Sequence, residues 1–409
     1  MTEENKEDFN NLDNFELKDN SAPCNKMKIL IIIISIILIV LAVLVILWLV
    51  LKDDRNDAND KDKKNDDEKK EPSNPDIIDY SFKVEYFSEA NYTIQLINKA
   101  YLSNIDELII DGNKTKAYIQ YKFNSTGNHI VYFKMNISGL TSLRDMFYDN
   151  NNITLISFTS LFNTENITDM SGMFSHCSKL TSLDISNFNT KKVTSMSQMF
   201  ISCFSLTSLD VSSFNTENVE DMTATFGYLY SIESLDLSNF KTPNLGQMLH
   251  TFNSCRKLKS LDLSSFNTTN LWTLQSTFSG CSSLETVNLS SFNTSNVRIM
   301  TQMFYECYSL KSIDLSSFST TKLSSISRLF YNCISLTSIN LKNFNILEGE
   351  NFKGCHNITF IDISSFWTTK EEVNLFDELP SKGEIIVNAS LVDKIKHQIP
   401  DDWIIRTIE

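Results

Sequence analysis

A chain of 409 residues exceeds what one ordinary hydrophobic core serves, but a repeat array escapes that limit because its core grows in one dimension. Its 50 Asp and Glu outnumber 36 Lys and Arg, giving a formal net charge of −14. That balance argues against nucleic acid or anionic lipid as the main partner, since both are polyanions that would be repelled.

In chain order, residues 1–28 read as a short acidic tail. The 23 residues from Ile29 to Leu51 contain one polar member, Ser35. At about 1.5 Å per residue they predict a helix that crosses a hydrocarbon core of about 30 Å. A cleaved signal peptide would have a shorter apolar region behind a short basic start, so this helix is expected to stay as an anchor. Four basic residues precede it and seven follow closely (Lys52, Arg55, Lys61, Lys63, Lys64, Lys69 and Lys70), which taken alone would keep the following part inside. The second flank interleaves those bases with nine acids, and large domains translocate regardless of local charge, so the carboxyl-terminal part is expected outside the plasma membrane. Eleven Asn-x-Ser/Thr sequons all follow the helix, which suits a glycoprotein, although a chain so rich in Asn, Ser and Thr produces many by chance. Cys24, just before the helix, reads as a lone thiol with S-acylation as the alternative.

Residues 52–75 mix both charge signs with no apolar residue larger than alanine and read as a solvated stalk. Over 76–144, short runs such as KAYIQYKF and HIVYFKM alternate with turn signals in DGNKT and NSTGN, predicting a small β-rich cap. The region 145–370 then repeats with a period of 26: Cys177, Cys203, Cys255, Cys281, Cys307 and Cys333 fall on one series, with Leu229 at the missing step. The unit reads C-x-x-L-x-x-L-D-L-S-x-F-N-T-x-x-V-x-x-M-x-x-x-F. SLDIS predicts a short strand with Asp184 facing away from Leu183 and Ile185. Val193, Met196 and Phe200 recur at three and four, which predicts a helical or 3₁₀ turn. The expected fold is therefore an α/β repeat, a leucine-rich-repeat solenoid of nine strands in a parallel sheet, closed by a cap over 371–409 with one more strand and a short helix.

The spacing from Cys177 to Phe200 resembles the BspA-like leucine-rich-repeat surface proteins, here with a 26-residue unit, and LVDKIKHQIPDDW is similar to the end of such arrays. The resemblance implies a cell-surface binding protein, with adhesion as its function.

For chemistry, the sharpest feature is the outward strand position: Asp184, Asp210, Asp236, Asp262, Asn288, Asp314, Asn340 and Asp362. Six of these, Asp184, Asp210, Asp236, Asp262, Asp314 and Asp362, are the candidate ligand-binding residues of an inner sheet face. At steps of about 4.8 Å, neighbouring aspartates repel by about 1 kcal/mol in water, so the strip should welcome cations or a basic ligand. The bland alternative is a solvated polar face. A pair of carboxylates for glycoside hydrolysis needs unequal environments, which a uniform ladder does not provide. Stacked cysteines lie within disulfide distance, but parallel side-chain vectors oppose the bond and seven cysteines after the helix leave one unpaired, so a buried thiol ladder is expected, with disulfides as the alternative. His176 and His356 lie beside cysteines, yet sequence neighbours point apart and no paired metal-ligand spacing completes a zinc site. No phosphate loop or nucleophile elbow occurs, so no enzyme activity, metal or cofactor is expected. The partners expected are an extracellular protein or carbohydrate, basic in character, and the membrane through Ile29 to Leu51. A self-associating coat protein is the second reading, and a surface hydrolase the third.

Overall fold

The computed structural model describes residues 79–347, 349–366, 375–376 and 378–408. The tail, the proposed membrane helix and the stalk lie outside the described residues. Among the described residues no helix is long and apolar enough to cross a membrane.

The first part forms strands β1 (Phe82–Ser88), β2 (Thr93–Gln95), β3 (Ile105–Ile110), β4 (Asn113–Thr115), β5 (Gln120–Lys122) and β6 (Gly127–Met135). The DG step between β3 and β4 is a tight hairpin, with Asp111 and Gly112 both at positive φ (48° and 81°). Strand β7 (Ile153–Phe158) pairs antiparallel with β1 and parallel with β8 (Ser182–Asp184). One sheet, in the order β4-β3-β6-β1-β7-β8, thus runs from the cap directly into the repeats. It covers the open end of the stack with paired strand instead of bare edge.

The repeats stack as a parallel β-solenoid. Ten phenylalanines, Phe147, Phe174, Phe200, Phe226, Phe252, Phe278, Phe304, Phe330, Phe352 and Phe376, form one column with successive centroids 5.4 to 6.1 Å apart and planes within 18° of parallel. Leu180, Ile185, Phe188, Val193 and Met196 are buried around it as their spacing implied, and Leu183 is partly buried. At roughly 1.5 to 3 kcal/mol per buried large side chain, each added coil extends the core without changing its design.

Two expectations change. The second half of each unit is a chain of turns, not helix. Gln198 and Ser202 have φ near +60°, and the same two positions recur at positive φ in the following coils, as at Ala224 and Tyr228 or Gln302 and Glu306. Alternate N–H groups reach the next coil: Gln198 to Thr223 (2.7 Å), Phe200 to Thr225 (3.0 Å) and Ser202 to Gly227 (3.0 Å). A helix would spend these donors on its own carbonyls, and the left-handed residues prevent that. Beside this lattice runs an unbroken ladder of parallel bridges, Ser142 to Asp169, Ser195, Asp221, Gln247, Thr273, Ile299 and Ser325.

The strand side is less continuous. Of nine expected strands, the structure forms β7, β8, β9 (Ser260–Asp262), β10 (Thr286–Asn288), β11 (Ser338–Asn340) and β12 (Phe360–Ile363). The coils at Leu209, Leu235 and Ile313 pass in line without closing a ladder. Hydrogen bonding between coils is therefore more continuous on the turn side, while the strand side adds bonds coil by coil, such as Thr337 N–H to Lys311 (3.2 Å). The carboxyl-terminal end has two strands where one was expected: β13 (Gly383–Asn388) pairs with β12, and β14 (Trp403–Ile408) pairs with β13, all parallel. Between them lies a single helical turn, α1 (Val392–Ile395), flanked by 3₁₀ turns.

Candidate functional site

The outward strand positions form the expected column, and its first task is local. In every coil the side-chain oxygen accepts the backbone N–H two residues on: Asp184 from Ser186 (3.1 Å), and Asp210, Asp236, Asp262 and Asp314 from Ser212, Ser238, Ser264 and Ser316 (2.9 Å each). Asn288 and Asn340 do the same toward Ser290 (3.1 Å) and Lys342 (3.0 Å). Each is an Asx turn that ends the strand and swings the chain toward the buried Phe of the motif. The D-x-S spacing carried this signal in the sequence, and reading the column as a ligand strip missed it.

One carboxylate oxygen is thus committed to the fold, and the residues at Asp184, Asp210, Asp236, Asp262 and Asp314 remain exposed. Hydrogen bonds from the hydroxyl and backbone of Ser212 hold Asp210 below the usual carboxylate range, and Ser316 does so for Asp314. The backbone and hydroxyl of Ser238 and Ser264 do the same for Asp236 and Asp262. All four are therefore anionic at neutral pH, with shifts of one sign and one cause. Asp236 and Asp262, with Ser238, Ser264 and Ser265, line a concavity of about 280 Å³. The strip is bordered by Glu233, Lys259, Glu285 and Lys311, where Lys311 donates to Glu285 at 2.7 Å, so the face is acidic without being uniform.

Asp362 departs from the series. It is only 9% exposed, because β13 pairs alongside β12 and the end of the chain closes over this coil. It belongs to the closing sheet and does not share the open face.

The cysteines resolve as thiols. All seven described cysteines are free and buried, and each donates to the carbonyl of a Phe in the preceding coil, from Cys177 to Phe147 (3.2 Å) through Cys355 to Phe330 (3.1 Å). Burial pushes Cys203 and Cys355 up to about 12, so these thiols stay protonated and inert. Leu229 fills the same corner with apolar volume. His176 packs edge-on against Tyr148 (5.7 Å), and His356 lies 3.7 Å from the Glu378 carboxylate.

A further column is the Thr of the F-N-T triplet. Thr190 donates to the carbonyl of Asn215 (2.9 Å) and accepts the N–H of the same residue (2.7 Å), and Thr164, Thr216, Thr242, Thr268 and Thr294 repeat the arrangement. The motif displayed this residue in the sequence, but only the stacked coils show what the hydroxyl joins.

Fold and face together define a repeat solenoid in which letters that recur from coil to coil, such as the Phe, Cys and Thr columns, are consumed by stacking and coil-to-coil bonding. A family model described as "Mycoplasma protein of unknown function, DUF285" matches residues 141–261 and 246–367, which together span more than half of the 409 residues. The chain belongs to that family. No curated protein matches it significantly.

Proposed function

We propose that this chain is a membrane-anchored cell-surface protein of the BspA-like kind, whose solenoid binds an extracellular partner through the strand face. The observation that carries the reading is the fixed row of exposed carboxylates at Asp184, Asp210, Asp236 and Asp262, each pinned by its turn, with the second oxygen of Asp184 also accepting the Ser157 hydroxyl at 3.3 Å. A preorganised, like-charged row pays little ordering entropy on binding and suits a basic protein segment. Because Asp210, Asp236 and Asp262 shift in the same direction, none is held protonated as a general acid, which supports binding over hydrolysis. The anchor is Ile29 to Leu51, with the solenoid outside the plasma membrane.

Protease shaving of intact expressing cells, with blots against both ends, tests the location. Loss of the carboxyl-terminal epitope alone is the expected result, whereas protection of that epitope rejects the surface reading. The strip is tested by Asp210→Asn, Asp236→Asn and Asp262→Asn together. Asn288 and Asn340 already make the same turn, so this variant keeps the fold and removes only charge. Its affinity for deca-lysine should fall several-fold at low salt, and unchanged affinity would make the face ordinary solvated surface.

A further inference from the structure

The turn side of the solenoid carries a second feature, independent of the strand face. Two columns lie next to each other there. One is Thr168, Thr194, Glu220, Gly246, Trp272, Arg298 and Ser324, joined coil to coil by backbone bonds such as Trp272 N–H to Gly246 and Arg298 N–H to Trp272, both 2.9 Å. The other includes Asn218, Asn244, Asn270 and Asn296, each two residues earlier in its coil.

Trp272 is 43% exposed. The pyrrole edge of its indole lies over Gly246, where an added Cβ would sit 3.9 Å from Cδ1 and Nε1. Other aromatic side chains on the coils cover one another. Phe204 stacks on Tyr230 (4.7 Å) under Arg256 (4.1 Å), and Tyr305 stacks on Tyr331 (5.0 Å). Trp272 has no such partner among the described residues, and its Nε1–H makes no bond there, unlike that of Trp403, which donates to Pro380 at 2.7 Å.

The asparagines are committed on one side only. Asn218, Asn244 and Asn270 donate Nδ2 to the carbonyls of Lys191, Glu217 and Pro243 at 2.7 to 2.9 Å. Their Oδ1 atoms accept nothing from the described residues, whereas that of Asn296 accepts Lys322 Nζ at 2.6 Å. Three fixed amide oxygens beside an open indole make an acceptor-rich, aromatic surface. Glu220 and Arg298 carry opposite charges, and Lys192 and Lys322, at the two ends of the asparagine run, are held by Asn166 (2.8 Å) and Asn296 (2.6 Å), so the positions from Asn218 to Asn270 are themselves uncharged.

We propose that Trp272 with Asn218, Asn244 and Asn270 binds a neutral saccharide. The C–H face of a pyranose ring packs on the indole, and its hydroxyls donate to the amide oxygens. Each asparagine keeps its second Nδ2–H beside the open Oδ1, so the row offers donor and acceptor on one amide, which matches vicinal sugar hydroxyls that both donate and accept.

The test uses the full chain in detergent micelles with four soluble probes: cellohexaose, maltohexaose, chitohexaose and a mannohexaose. Affinity is measured by calorimetry, alongside tryptophan emission. At least one probe should bind and alter the emission, and Trp272→Thr should weaken it tenfold or more with the melting temperature unchanged. Thr already occupies this column at 168 and 194, so the substitution fits the frame. The triple Asn variant of the strand face should bind the saccharide as the parent does. Failure of all four probes to bind, or equal binding by Trp272→Thr, overturns the proposal, as does loss of saccharide binding in the strand-face variant alone.

Discussion

Single residues in this array are set by their place in a column, and His250 shows the consequence most sharply. It occupies a left-handed position (φ 55°), and burial lowers its pKa from 6.5 to about 4. The folded state favours the neutral ring, so the stability this position carries is complete above about pH 6.5 and is lost as pH falls toward 4. Unfolding gains a proton across that window, at about 1.4 kcal/mol per pH unit, up to roughly 3 kcal/mol in all. Gln stands at the equivalent positions Gln198 and Gln302, so His250→Gln fits the backbone and removes the titration. Chemical denaturation at pH 7 and pH 4.5 should show the parent losing about 2 to 3 kcal/mol more than the variant. Equal losses would mean that the ring is not desolvated.

At the scale of the element, the turn segment decides between two readings of one apolar period. Val193, Met196 and Phe200 recur as a helix would have them, and the sequence alone does not separate a helix from a run of turns with the same buried positions. The separating feature is the sign of φ, which side chains at Gln198 or Ser202 do not announce. Only Gly172, Gly280 and Gly354, in the same two columns as Gln198 and Ser202, hinted at it. Substitution at Gln198 tests the difference. In the left-handed conformation Gln198→Gly should be near neutral, while the β-branched Gln198→Val costs about 1 to 2 kcal/mol. In a right-handed helix Gly would be the worse of the two, by up to about 0.5 kcal/mol. Urea titration of both variants gives the order. The period, the Phe column, the cysteine corner and the β-rich cap were legible because burial and spacing write them directly. The Asx role of Asp210 and its neighbours was written in D-x-S and was overlooked. The burial of Asp362 was not legible at all, since it follows from a strand 21 residues later closing over it.

At the scale of the whole molecule, the cysteine column is a built-in reporter of how the array comes apart. Contacts run between neighbouring coils, so stability is a sum of local interfaces, and those interfaces differ. The coils that follow Cys203 and Cys307, at Leu209 and Ile313, close no strand-side ladder, while those that follow Cys281 and Cys355 enter β10 and β12. Every thiol is nonetheless buried against a Phe carbonyl in the native state. Pulsed alkylation with iodoacetamide, read by peptide mass spectrometry along a urea series, should label none of the seven in native buffer. Cys203 and Cys307 should become reactive at lower urea than Cys281 and Cys355, because their coils hold fewer strand-side backbone bonds to break. Labelling of any of the seven without denaturant would contradict the buried ladder. Simultaneous labelling of all seven would show that the turn side alone makes the array cooperative, with the strand ladder adding nothing to the order of unfolding.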